Sequence, residues 1–141
     1  MNPQQQKILL VEDEALIREL YTRQLTKAGF VVKPAATGEE AVQILKTDNF
    51  DVILLDIMLP GINGLQVLRE YKLAQPNSPT VVVLLTNLGQ ESIIKEGFDL
   101  GAQAYLIKTS YTPDQIVAEV QSIIAGKPSG GTPPPVPPAA T

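Results

Sequence analysis

Hydrophobic positions in this chain follow two rhythms that alternate along its length. Ile8-Leu9-Leu10-Val11 is a short, unbroken apolar run that stops at Glu12-Asp13-Glu14, the pattern of a strand covered on both faces. After it, Leu16, Ile17, Leu20, Gln24 and Leu25 recur at spacings of three and four, while Arg18, Glu19, Arg23 and Lys27 face away. This predicts a helix ended by Gly29. Val31-Val32 begins a second, weaker strand that fades at Pro34 to Ala36. Thr37-Gly38-Glu39-Glu40 reads as a capping box, with Thr37 accepting from the Glu40 amide and Glu40 reaching back, ahead of a helix carrying Ala41, Val42, Ile44 and Leu45. Asp51 to Asp56 is a third strand, again apolar throughout and again closed by an acid.

The second half repeats the scheme. Pro60-Gly61-Ile62-Asn63-Gly64 is a loop, and Leu65, Val67, Leu68 and Tyr71 mark a third helix closed by Pro76 and Pro79. Val81 to Leu85 is the most apolar strand and ends in Thr86. Ile93, Ile94 and Phe98 predict a fourth helix, weakened by Gly97, which costs about 1 kcal/mol relative to alanine. Ala104 to Ile107 is a fifth strand ending in Lys108. Thr112-Pro113-Asp114-Gln115 caps a last helix whose buried side is Ile116, Val117, Val120, Ile123 and Ile124, before Gly126. Strict alternation of apolar strands with helices predicts an α/β fold, a doubly wound five-stranded parallel sheet with five helices. A closed eight-stranded barrel needs many more residues than the 141 present.

Composition sharpens this picture at three points. Residues 127–141 hold six of the twelve prolines, two glycines and only Val136 as a large apolar side chain, so residues 1–126 are expected to form one domain followed by a disordered tail. The chain has no cysteine and no histidine, which removes thiolate and imidazole chemistry and leaves carboxylates, hydroxyls and lysine. A reducing, cytoplasmic setting fits. A net charge of −4 with singly scattered basic residues argues against nucleic-acid binding. No apolar run approaches the length of a membrane span, and Met1 to Lys7 is polar.

In open parallel sheets, ligands bind beyond the carboxyl ends of the strands. Those ends carry Glu12-Asp13, Asp56, Thr86 and Lys108, so three acids, a hydroxyl and an amine fall on one edge. Carboxylates crowded together repel unless a cation joins them, and oxygen ligands of this kind suit magnesium. Singly, each residue has a plainer explanation: Asp56 as a turn residue, the acids at a helix amino end, Thr86 as a cap, Lys108 as a solvated charge. The ordered set is what makes the pattern specific.

That set, over Lys7 to Ala125, resembles the receiver domain of two-component response regulators, the CheY-like group. Pro60-Gly61, Gly101-Ala102 and Tyr105 in place of the switch aromatic are secondary matches. The resemblance implies a flavodoxin-like sheet of order 2-1-3-4-5. It implies that Asp56 accepts a phosphoryl group from the phosphohistidine of a sensor histidine kinase or phosphotransfer protein. Asp13 and Asp56 would ligate magnesium, Glu12 would act through a bound water and the Met58 carbonyl would add a ligand. Thr86 and Tyr105 would form the switch, and Lys108 would pair with the phosphoryl group. Such a chain is a phosphoacceptor and not a conventional enzyme. A stand-alone regulator is expected, signalling by contact of its fourth helix, fifth strand and fifth helix with a downstream protein target. A phosphorylation-dependent homodimer through the last two helices stays open.

Departures from the family's pattern are Thr109, where proline usually follows the lysine, and Asn87, where a small residue usually follows the threonine. Met58 and Leu88 stand where side chains usually hold the water that hydrolyses phosphoaspartate, which predicts a long-lived phosphorylated state. A pseudo-receiver that binds proteins without being phosphorylated is the alternative, supported by Asn87 and Thr109. A phosphatase of the haloacid-dehalogenase type would need an acid at Met58, and a cofactor-binding flavodoxin would need glycines where Glu12-Asp13-Glu14 stands.

Overall fold

The computed structural model describes residues 5–87 and 91–126. The proposed tail, and Leu88 with it, lie outside the described residues. Strands β1 (Lys7–Val11), β2 (Val31–Ala35), β3 (Val52–Asp56), β4 (Val81–Thr86) and β5 (Ala104–Ile107) alternate with helices α1 (Ala15–Lys27), α2 (Gly38–Thr47), α3 (Gly64–Ala74), α4 (Glu91–Asp99) and α5 (Pro113–Ile124). All strand pairs are parallel, in the order β2-β1-β3-β4-β5. The doubly wound sheet and its implied order are therefore both present. β2 was the weak strand in sequence because it is an edge: it pairs only with β1, and Pro34 is tolerated there.

The period of two along each strand splits the core in half. Leu9, Val11, Ile53, Leu55, Val82 and Leu84 pack under α2, α3 and α4. Ile8, Leu10, Val52, Leu54, Val83, Leu85 and Leu106 pack on the opposite side, with Tyr21 and Leu25 of α1 and Ile116, Val117 and Val120 of α5. A strand buried on both faces has no polar alternation to show, which is why these runs read as continuous.

Several local expectations need correction. In α1 the buried ridge is Tyr21 and Leu25, with Ile17 half-buried, whereas Leu16 (64 % exposed) and Leu20 (45 % exposed) point to solvent. Two apolar ridges at helical spacing overlap in this sequence, and only tertiary contact decides between them. Arg18 does not face away: its guanidinium donates to the Glu12 carbonyl at 2.9 Å and to the Asp13 carbonyl at 3.3 Å. The capping box at α2 is half formed. Thr37 Oγ1 accepts from the Glu40 amide at 3.0 Å, but Glu40 accepts from the Ala36 amide at 2.9 Å. Gly97 also marks a close approach of α4 to the sheet, because a Cβ there would meet the tip of the Leu84 side chain, which would have to move aside.

Candidate functional site

Side-chain parity at the strand ends decides which groups meet. Glu12, Asp56 and Lys108 continue the β1, β3 and β5 positions that face α1 and α5, so they converge above that half of the core. Lys108 Nζ lies 2.9 Å from Asp56 Oδ2 and 3.0 Å from Glu12 Oε1. Both carboxylates are buried. The Glu14 amide donates to Glu12 Oε2 at 3.1 Å, and the Met58 amide donates to Asp56 Oδ1 at 3.0 Å. Every carboxylate oxygen of the buried pair therefore has a donor. Arg18 braces the same turn through its two carbonyl contacts. Asp13 stands exposed on the rim, and carboxylate oxygens of Glu12, Asp13 and Asp56 can be chosen that all lie within 4.8 Å of one another.

Thr86 and Tyr105 continue the opposite parity, toward α3 and α4. Thr86 is fully buried, and its hydroxyl donates to the Asn87 carbonyl at 3.0 Å. The half-buried Tyr105 ring meets Phe98 of α4 edge to face, with centroids 6.1 Å apart. The sequence-predicted residues thus form two groups: an acid and amine cluster on one parity, and a hydroxyl and aromatic pair on the other. No cis peptide occurs among the described residues, so the bond before Thr109 is trans, and Lys108 reaches both carboxylates with that backbone.

The loop under Asp56 is shaped by Gly64. Asn63 caps α3 in a full capping box with Gln66, which the run of turn formers in the sequence concealed. The next residue lies so close to β3 that a Cβ on Gly64 would strike the Asp56 carbonyl oxygen and sit 2.9 Å from the Ile57 Cα. Above the cluster is an open cavity of about 320 Å³, lined by Asp13, Tyr21, Asp56, Met58, Lys108 and Thr109 among others. Tyr21 is a lining residue that the sequence reading did not name, since the stripe it assigned to α1 passes it by. A larger groove of about 730 Å³ between α1 and β2 lies away from these groups.

Electrostatics follow from burying two acids beside one amine. Burial, and then the Asp56 carboxylate, raise the Glu12 pKa above its ordinary value. Burial opposes charge on Lys108, but its bonds to Asp56 and Glu12 outweigh that and raise its pKa. The folded chain therefore holds the Glu12 proton more tightly than the unfolded chain does. Stability from this group should rise as pH falls from neutral through the raised pKa, and should gain nothing further below about 4.5, its ordinary value. Lys108 adds stability that is complete below 10.5 and lost as pH rises through its raised pKa. Thermal melts at stepped pH are expected to show the acid-side rise, and Glu12→Gln is expected to flatten it.

Three clustered carboxylates, one of them exposed, against a single ammonium leave an excess of negative oxygen ligands, which suits a hard dication such as magnesium.

Comparison with known proteins agrees with this geometry. The family model for the response regulator receiver domain matches residues 8–121. The chain belongs to the response-regulator receiver family. The receiver is 34 % identical over 118 residues to the transcriptional regulatory protein ResD of Bacillus subtilis, covering 84 % of this chain and 48 % of the relative. It is 36 % identical over 121 residues to the transcriptional regulatory protein SrrA of Staphylococcus aureus, covering 84 % and 47 %. It spans about half the length of these relatives. Among solved structures, a CheY-like receiver domain protein from Methanospirillum hungatei superimposes with a TM-score of 0.79 at 23 % identity, over 87 % of this chain and 96 % of that one. The BeF3-activated DrrB receiver domain gives a TM-score of 0.74 at 31 % identity, over 86 % and 99 %. Among the described residues, no helix of the receiver is long and apolar enough to cross a membrane.

Proposed function

We propose that this receiver is a cytoplasmic phosphoacceptor switch in which Asp56 takes a phosphoryl group from the phosphohistidine of a sensor histidine kinase or phosphotransfer protein. The observation that supports it most is the shared grip of Lys108 on Asp56 and Glu12, at 2.9 and 3.0 Å, beside the rim carboxylate of Asp13. Both Asp56 oxygens are held by donors, so the nucleophile is oriented before any donor arrives. Transfer forms a bond from an Asp56 oxygen to phosphorus and breaks the donor's phosphorus–nitrogen bond, whose electron pair stays with the imidazole. Asp13 and Asp56, with Glu12 through a bound water and the Met58 carbonyl, would hold a magnesium ion, whose charge neutralises the phosphoryl oxygens. Lys108 follows the developing charge from Asp56 onto the phosphoryl group.

Output then runs through the other parity. Thr86 exchanges the Asn87 carbonyl for a phosphoryl oxygen, and Tyr105 moves on its contact with Phe98, which changes the face of α4, β5 and α5 that a downstream protein reads. The relatives' names concern transcription, but DNA contact is not assigned to this chain, whose charge is −4 and whose basic residues are scattered.

A second reading is a pseudo-receiver that docks proteins without being phosphorylated, favoured by the Asn87 and Thr109 side chains at the cavity. Magnesium with acetyl phosphate or beryllofluoride discriminates. One added phosphoryl group by intact mass is expected, with amide shifts spreading from Asp56 to Thr86, Tyr105 and α5. An unchanged mass and spectrum, with no magnesium response, would hand the chain to the second reading. Met58, half-exposed at the rim, offers an attacking water only a weak thioether acceptor. The phosphorylated form is therefore expected to persist for minutes or longer at neutral pH, and decay within seconds by mass would overturn that.

A further inference from the structure

An ammonium carries three N–H donors, and Lys108 spends two of them on Asp56 and Glu12. The third has no protein acceptor among the described residues, and Lys108 lines the cavity above the cluster. Tyr21 lines the same cavity. It is only 5 % exposed, and its ring belongs to the core behind α1 and α5, the half of the molecule whose parity Glu12, Asp56 and Lys108 share. A buried hydroxyl costs free energy unless it finds a partner. Among the described residues the Tyr21 hydroxyl has none, yet it is not sealed off from the cavity.

Helix direction says where that hydroxyl points. Side chains of a helix lean toward its amino end, and α1 begins next to Glu14, beside the carboxylates. From the second turn of α1 the phenol therefore tilts up toward the floor of the site. Burial first, and then the nearby Glu12 and Asp56 charges, raise its pKa against the opposing pull of Lys108, so it stays protonated through the physiological range. A neutral phenol is both donor and acceptor. The other neutral polar residues at the cavity, Asn87 and Thr109, are exposed and can be satisfied by solvent.

We propose that Tyr21 is a positioning residue for Lys108: its hydroxyl oxygen takes up the third N–H of the ammonium through one cavity water. Lys108 is thereby kept over the site when phosphoryl transfer draws it away from Asp56. A cavity of about 320 Å³ has room for such a water. The catalytic consequence rests on the phosphoacceptor reading, but the contact itself does not.

Tyr21→Phe keeps the ring and removes the oxygen. It is expected to slow phosphorylation by acetyl phosphate about threefold to tenfold, the worth of one hydrogen bond. Magnesium affinity and melting temperature should be unchanged. Two readouts separate positioning from packing. The Lys108 ammonium resonance should shift and exchange with water faster in Tyr21→Phe. In a Lys108→Met background the same substitution should change the phosphorylation rate no further. An unaltered ammonium resonance, or equal slowing in both backgrounds, would overturn the proposal. If the wild-type chain takes no phosphoryl group at all, the phosphoacceptor reading falls, while the ammonium resonance still decides the contact.

Discussion

Asp56→Asn is expected to gain no mass from magnesium and acetyl phosphate, and to lose much of the dependence of its stability on acid pH. The first effect follows from chemistry, because an amide is not a nucleophile toward phosphorus. The second follows from the cluster. The Asp56 charge is the largest cause after burial that raises the Glu12 pKa, and Lys108 is held charged by both acids. Without the Asp56 charge, Glu12 keeps Lys108 to itself as a one-to-one pair, its pKa falls toward normal, and the stability rise below neutral pH shrinks. The amide also cannot satisfy both neighbours, since the Met58 N–H and Lys108 each donate to a different Asp56 oxygen. A melt series at stepped pH, run beside the wild-type chain and Glu12→Gln, checks this. A slope as steep as that of the wild type would show that Asp56 does not govern Glu12.

Gly64→Ala should be the most damaging substitution of a single methyl group near the site. The added carbon would strike the Asp56 carbonyl oxygen and press on the Ile57 Cα at 2.9 Å, and both are backbone, so no side chain can rotate out of the way. The Gly64 amide also donates to the Ile57 carbonyl at 3.0 Å, so the start of α3 and the end of β3 move together or not at all. Overpacking of this kind costs about 3 kcal/mol, a large part of the roughly 5–15 kcal/mol that stabilises a domain. Because the displaced atoms carry Asp56, magnesium affinity should fall in step with melting temperature. A Gly64→Ala protein with wild-type stability would mean that the loop has slack which this packing does not show.

The sequence made the architecture legible because each strand except the edge strand β2 is an apolar run closed by a charged or hydroxyl residue. Those closing residues make up the candidate site: Glu12, Asp13, Asp56, Thr86 and Lys108 were all readable as strand ends. What stayed hidden depends on contacts between elements. Nothing in α1 alone distinguishes the ridge of Leu16 and Leu20 from that of Ile17, Tyr21 and Leu25, so the aromatic at the cavity floor was passed over. Arg18 looked like a solvated charge because its acceptors are backbone carbonyls, which have no sequence signature. Gly97 reads in sequence only as a cost to its helix, because the side chain it lies against, Leu84, is on another element. Thr37 and Glu40 were the right residues for a cap, and only the identity of the second amide differed.

The two half-cores have a further consequence. Among the described residues the buried side chains fall into two separate clusters, and the backbone of the sheet stands between them like a bulkhead. The acid and amine cluster opens on the compartment of α1 and α5, whereas Thr86 and Tyr105 open on that of α3 and α4. Residues around the acid and amine cluster can therefore vary without disturbing the packing around Thr86 and Tyr105, because each set is packed into its own room. Only the strand termini pass through the wall.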